Sequence, residues 1–170
     1  MVELKIKSKI SLNGYLKLSF FMTYRKPSII FFNILGFFLL LAVFSGFAKG
    51  YDMSSAGAYA SLIFGIVFVV VVPLSLYFGT KKSYRANKTF QEEIEFRFTE
   101  EKMFVKGETF EANLTLSTMY KMEELKNYIL IYHNRQAMNI ISKESMSKAQ
   151  IKHFHELCDI WRRHKYDLTK

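Results

Sequence analysis

Apolar and polar positions divide this chain into stretches with different periods. Residues 2–10 set Lys5, Lys7 and Lys9 against Leu4, Ile6, Ser8 and Ile10, the two-residue alternation of a strand with one basic face. Behind Ser11 and Asn13, which can cap a helix, Tyr15, Leu16, Phe20, Met22 and Tyr24 accompany Lys17, Arg25 and Lys26. That mixture predicts an amphipathic helix along a membrane surface, ending at Pro27. From Ser28 to Ala48 no residue is charged, and only Ser28, Asn33 and Ser45 have polar side chains. A second uncharged run extends from Met53 to Thr80, and its centre, Leu62 to Val72, has no polar side chain. At ~1.5 Å per residue either run covers the ~30 Å hydrocarbon core of a bilayer. Burial inside a soluble protein is the competing reading, but a chain of 170 residues lacks the mass to cover two helices apolar on every side.

Pro27 suits the first position of a helix, where no hydrogen bond is lost. Lys49-Gly50-Tyr51-Asp52 is a polar turn between the runs, so the two helices are expected to form an antiparallel hairpin. Lys5, Lys7, Lys9, Lys17, Arg25 and Lys26 precede the first run, and Lys81, Lys82, Arg85 and Lys88 follow the second, against Lys49 alone between them. The positive-inside bias therefore expects both termini in the cytoplasm and the chain as a multi-pass protein of the cytoplasmic membrane. Gly46 and Ala48 raise the alternative of signal-peptide cleavage, but the preceding segment is too long and patterned for a simple n-region. Gly57, Ser61 and Gly65 recur every four residues, as do Ala42 and Gly46, and these stripes are expected to pack the two helices together. Pro73 is expected to bend the second helix. Neither run contains Asp, Glu, Lys, Arg or His, which argues against an ion or proton path through one copy of the chain.

After the second run the period changes. Ile94, Phe96 and Phe98 alternate with Glu93, Glu95 and Arg97, and further short apolar runs follow at 103–105, 110–116, 119–125, 128–132 and 138–141. Turn-like breaks separate them at Thr99-Glu100-Glu101, Gly107-Glu108, Lys126-Asn127 and Asn134-Arg135. Six antiparallel strands are predicted, then a helix from Lys143 to His164 with Met146, Ile151, Phe154, Leu157, Cys158 and Trp161 as its apolar stripe. The expected fold class is a membrane α-helical hairpin plus an α+β domain, a small barrel-like antiparallel sheet closed by the C-terminal helix. Three regions follow: residues 1–27 with a strand that joins the later sheet, the hairpin at 28–80, and the cytoplasmic β-rich domain at 81–170. An exposed N-terminal strand and an unpaired sheet edge on the same side of the membrane would satisfy each other.

The paired helices, the stretch Asn113 through Leu125, Tyr128-Ile129-Leu130-Ile131-Tyr132 and Ile140-Ile141-Ser142-Lys143 together resemble the YcxB-like bacterial membrane proteins. The resemblance implies a pleckstrin-homology-like domain and a membrane address, and it supplies no catalytic residues. Leu116 and Ser142 depart from it, standing where members often carry tryptophan and proline.

Composition changes the picture only through its distribution. There are 24 Lys and Arg against 15 Asp and Glu, a formal net charge of +9, which on a soluble protein would suggest nucleic acid. Residues 81–170 hold 17 basic and 13 acidic side chains, and four of the basic ones follow directly on the second span, so no nucleic-acid partner is expected. Contact with anionic lipid headgroups is expected at Arg25, Lys26, Lys81, Lys82, Arg85, Lys88, Trp161, Arg162 and Arg163. Cys158 is the one cysteine and forms no internal disulfide; His155, Cys158 and Asp159 share a helical face on which a metal site can be drawn, but such residues on an amphipathic helix usually serve packing and solvation, and no metal is expected. Glu92, Glu93 and Glu95 are clustered carboxylates read as solvated surface, since nothing supplies a nucleophile. No cofactor and no enzymatic activity are expected. The chain reads as a non-enzymatic, membrane-anchored binding or scaffold module at the inner leaflet, taking membrane lipids and a membrane or cytoplasmic protein as partners. Its alternative is a subunit of a homo-oligomeric small-membrane-protein assembly that forms or regulates a transport path.

Overall fold

A computed structural model describes residues 3–50, 55–115, 119–135 and 137–163, with side chains described as far as Trp161. The chain divides into two compact units, 12–86 and a second made of 1–11 together with 87–170.

The helical unit begins with α1, Leu12–Tyr24, followed by α2, Pro27–Ala48, with Pro27 in its first turn. Gly50 follows the C-cap of α2 at φ 73°, the left-handed conformation that glycine adopts without a Cβ clash. The turn residues Tyr51 to Ser54, including Asp52, lie outside the described residues. The second long helix consists of α3, Ala56–Ile66, a π turn at Val67–Val71, and α4, Val72–Ala86. Ser55 caps α3 by accepting a hydrogen bond from the Ala58 N–H at 3.2 Å. Pro73 has no N–H to return to Val69 and its ring would crowd that carbonyl. The wide turn, in which Val72 N–H reaches back to Val67, stands directly before it, the usual place for such an accommodation.

Helix α2 and the 31-residue helix 56–86 are both long and apolar enough to cross a membrane. They pack antiparallel: Phe32 lies 5.1 Å from Phe68 between ring centroids, and Gly36 faces Gly65. A Cβ at Gly65 would lie 2.5 Å from Leu40 Cγ and 2.9 Å from the Gly36 carbonyl oxygen, so these backbones meet because both residues lack side chains. The expected stripes are only partly used. Gly65 and Gly46 are buried and Ser61 is half-buried, whereas Ala42 and Gly57 are exposed, and a Cβ at Gly57 would meet nothing within 4 Å. Four residues advance a helix by about 400°, so a four-residue stripe drifts by about 40° per step and cannot keep facing one straight neighbour.

In the other unit, β1 (Leu4–Ser8), β2 (Ile94–Phe98), β3 (Lys102–Lys106) and β4 (Glu111–Thr115) form one antiparallel sheet in that order. A second sheet contains β5 (Lys121–Glu124), β6 (Tyr128–Tyr132) and β7 (Met138–Ser142). A short 3-10 turn at Lys143–Ser145 leads to α5, Lys148–Arg163. The expected single barrel-like sheet is thus two sheets, and no closed barrel occurs among the described residues. β1 and β7 are linked where the Ser142 N–H donates to Ser8 Oγ at 2.9 Å, a side-chain bond that occupies a ladder donor.

β1 pairs with β2 from Leu4↔Phe98 to Ser8↔Ile94, so the chain leaves the sheet and returns to it at adjacent positions. Ile6 and Phe96 face each other in this ladder and both are fully buried. One core takes Leu4, Ile6, Phe96, Phe98, Met103 and Val105 from the first sheet with Met122, Ile129, Ile131 and Ile141 from the second. Phe154, Leu157 and Trp161 of α5 complete it, at the i, i+3, i+7 spacing of one helical face.

Two outcomes test this packing in detergent-solubilised protein. Ile6→Ala should cost about 2–5 kcal/mol, the range for a truncated core residue, while Lys7→Ala on the exposed side leaves the unfolding midpoint in place. Gly65→Leu should force the paired helices apart and lower their thermal midpoint, and Gly57→Leu should be silent; equal effects at both would remove the contact from the hairpin.

Candidate functional site

The last three turns of α4 carry the densest basic patch of the helical unit. Residues 78, 81, 82, 85 and 86 fall within one side of a helical wheel, and residues 80 and 84 fall opposite. The Tyr84 ring lies 5.8 Å from that of Tyr15 of α1, centroid to centroid and tilted by 42°, so the side of α4 that meets α1 is not the basic one. Phe78, Lys81, Lys82, Arg85 and Ala86 line an open cleft of ≈ 560 Å³. Phe78 is 61% exposed, and Lys81 Nζ sits 5.6 Å from the Tyr77 ring centroid, a cation–π distance. An apolar ring beside two ammonium groups and a guanidinium offers binding to a group that is anionic at one end and apolar at the other.

The other expected headgroup residues are dispersed. Arg25 and Lys26 are exposed at the α1–α2 junction, and Lys26 is the N-cap of α2. Lys88 lies in a 3-10 turn, Lys88–Phe90, of the β-rich unit. Trp161 corrects the expectation: it is fully buried, 5.8 Å from the Phe98 ring and 5.9 Å from Phe154, because its position continues the apolar stripe of α5. The side chains of Arg162 and Arg163 lie outside the described residues, as does Leu116.

Glu92 was read as surface, and the fold uses it otherwise. It is 7% exposed, and its carboxylate accepts from Thr109 Oγ1 at 2.8 Å, the Glu108 N–H at 2.9 Å and the Thr109 N–H at 3.2 Å. Gly107 makes room: a Cβ there would lie 2.8 Å from Glu92 Oε2 and 2.5 Å from Phe110 Cε1. The Thr109 hydroxyl, followed by the two backbone donors and Lys88, holds this carboxyl below the ordinary glutamate range against the opposing effect of burial. Its sequence signal was the turn itself, Gly107-Glu108-Thr109, whose donors need an acceptor.

Glu124 forms a second cluster, bonded to the Lys143 ammonium and to His155 Nε2 at 3.0 Å. Partial burial raises its pKa, and the hydrogen bonds from Lys143 and His155 outweigh that, so the net shift is downward. This joins β5, the turn after β7 and α5. His155 is therefore engaged with a carboxylate, and Cys158 Sγ lies 3.9 Å from Met122 Sδ. No group of metal-ligating side chains occurs among the described residues.

A family model described as YcxB-like protein matches residues 98–158, from the last residue of β2 into α5. No curated protein and no solved structure matches the chain.

Glu92→Gln keeps the shape and removes the charge. Because the folded carboxyl is depressed, its stabilisation is complete above the ordinary glutamate pKa of about 4.3 and is lost as pH falls through the folded value. The variant should unfold at a lower temperature than wild type at pH 7, with the difference closing in acid; a constant difference from pH 7 to pH 3 would show that the charge is not what matters.

Proposed function

For a YcxB-like chain, matched over residues 98–158, we propose the function of a membrane-anchored, non-enzymatic scaffold: a two-helix hairpin that fixes a pleckstrin-homology-like module at the inner leaflet for a protein partner. The observation that carries this reading is the β1–β2 ladder, which makes the β-rich unit discontinuous around the apolar hairpin. A domain closed by a strand from before the hairpin and six from after it must form on the side of the membrane where both flanks lie. Both flanks are basic, which favours the cytoplasmic side. Four strands in one sheet, three in the other and a closing helix support the pleckstrin-homology-like reading.

A permanent hydrophobic anchor already supplies membrane address, so reversible lipid recognition by the β-rich unit would be redundant for targeting. Its surface is left for a protein. The basic flanks then serve orientation and headgroup contact, each Lys or Arg contributing on the order of 1 kcal/mol near an anionic surface.

A reporter active only outside the cytoplasm should work when inserted after Gly50 and stay silent when fused to the C-terminus. Crosslinking in native membranes with an amine-reactive reagent should then join the β-rich unit to a second protein species, identified by mass spectrometry. An active C-terminal reporter overturns the orientation. Crosslinks confined to copies of this chain, together with a multiple-hairpin mass on native gels, would replace the scaffold by the homo-oligomeric subunit.

A further inference from the structure

The helices of the hairpin differ in length, 22 residues against 31, or about 33 Å against about 46 Å at the α-helical rise. Only ~30 Å lies within the hydrocarbon core. Gly36 and Leu40 opposite Gly65 fix the antiparallel register. Carried along both helices at equal rise, it sets Pro27 level with roughly residues 74–78 of the longer helix. The excess therefore projects at the end of α4, beyond the level where α2 begins. Phe78 stands at that boundary, with Lys81, Lys82 and Arg85 in the next two turns. α1 packs on α4, with its contact at Tyr84 on the side opposite the basic cleft.

The geometry points to a binding site for one anionic glycerophospholipid in the Phe78–Lys81–Lys82–Arg85 cleft, distinct from diffuse attraction of basic flanks to a charged leaflet. The phosphodiester of the lipid meets the Lys81 and Lys82 ammonium groups, and its first acyl carbons lie along Phe78. A diffuse flank needs charge alone. Here charge, an apolar ring at the boundary and an open cleft occur on one helical face, and that face is not the one closed by α1. A soluble phosphate would not use Phe78, so the occupant is lipid. The inference rests on the membrane reading of the hairpin and is independent of any partner of the β-rich unit.

Full-length protein in mild detergent, delipidated and then supplied with phosphatidylglycerol or phosphatidylcholine, tests this by thermal unfolding and by native mass spectrometry. Phosphatidylglycerol should raise the midpoint and remain bound as a single adduct, while phosphatidylcholine should do neither. K81Q/K82Q should weaken retention about thirtyfold, the product of two near-surface lysine contacts, and K81R/K82R should retain it. K148Q/K152Q, which removes the same charge from α5, should behave as wild type. Equal loss in both neutralised variants would reduce the effect to net charge, and a shift reproduced by glycerol phosphate would make the site one for a free anion; either overturns the proposal. If K81Q/K82Q does not fold, F78A decides, since retention unchanged from wild type would remove the apolar half of the site. Release of the chain from membranes by alkaline carbonate would instead overturn the membrane reading itself.

Discussion

The antiparallel ladder between β1 and β2 is the constraint on which the other features depend. It joins Leu4–Ser8 to Ile94–Phe98, so the connection between two neighbouring strands consists of residues 9–93, the whole helical unit included. In an ordinary hairpin a few turn residues set the register. Here the side chains must do so, through burial of Leu4, Ile6, Phe96 and Phe98 on one side and the exposed Lys7–Glu93 pair at 3.7 Å on the other. A one-residue slip would place Lys5 and Lys7 in the core, which gives the register its strength. The loop-closure entropy of so long a connection is offset where the intervening segment is itself structured.

Polar groups secure what the apolar core leaves undetermined. Glu92 fixes the turn after β3 immediately before β2 begins, and Glu124 ties β5 to the turn before α5 and to α5 itself. Each is a carboxylate serving donors from segments distant in sequence, and each is stabilised in its ionised form by those donors. Removing Glu92 would leave donors unanswered beside the core, a larger loss than the hydrogen bonds alone, whereas the donors to Glu124 are exposed to water. The two sheets then have fixed turns as well as a shared interior.

Periodicity showed much of this. The alternation over Ile94–Phe98 and the run Tyr128–Tyr132 coincide with β2 and β6, and the strands at 102–106, 111–115, 121–124 and 138–142 lie within two residues of the expected runs. Two long apolar helices and the α5 stripe were equally legible, because burial on one face leaves a local imprint. Pairings between distant residues leave none. Gly36 against Gly65, Glu92 under the Gly107 turn and the division into two sheets depend on which residues meet across the chain. Trp161 shows the ambiguity of a single position: next to Arg162 and Arg163 it resembles an interfacial aromatic, and in phase with Phe154 and Leu157 it is core. The basic residues after the second span were visible as charges, but the face they share with Phe78 could be separated from the α1 face only once α1 was placed.

The π turn at Val67–Val71 has a geometric consequence for α4. It accommodates one residue more than an α-helical turn would, so it acts as a rotational index between Gly65, which meets α2, and the cationic face near Phe78. Winding the same residues as regular α-helix would instead turn everything beyond it by about 100° relative to the close-packed half, whereas excising one residue would restore regular winding with that part facing nearly as before. With all residues kept in that regular winding, Lys82 would sit at a different azimuth around the helix axis, and Tyr84 would leave Tyr15. A widened turn in an apolar helix thus sets the direction in which charges several turns away project.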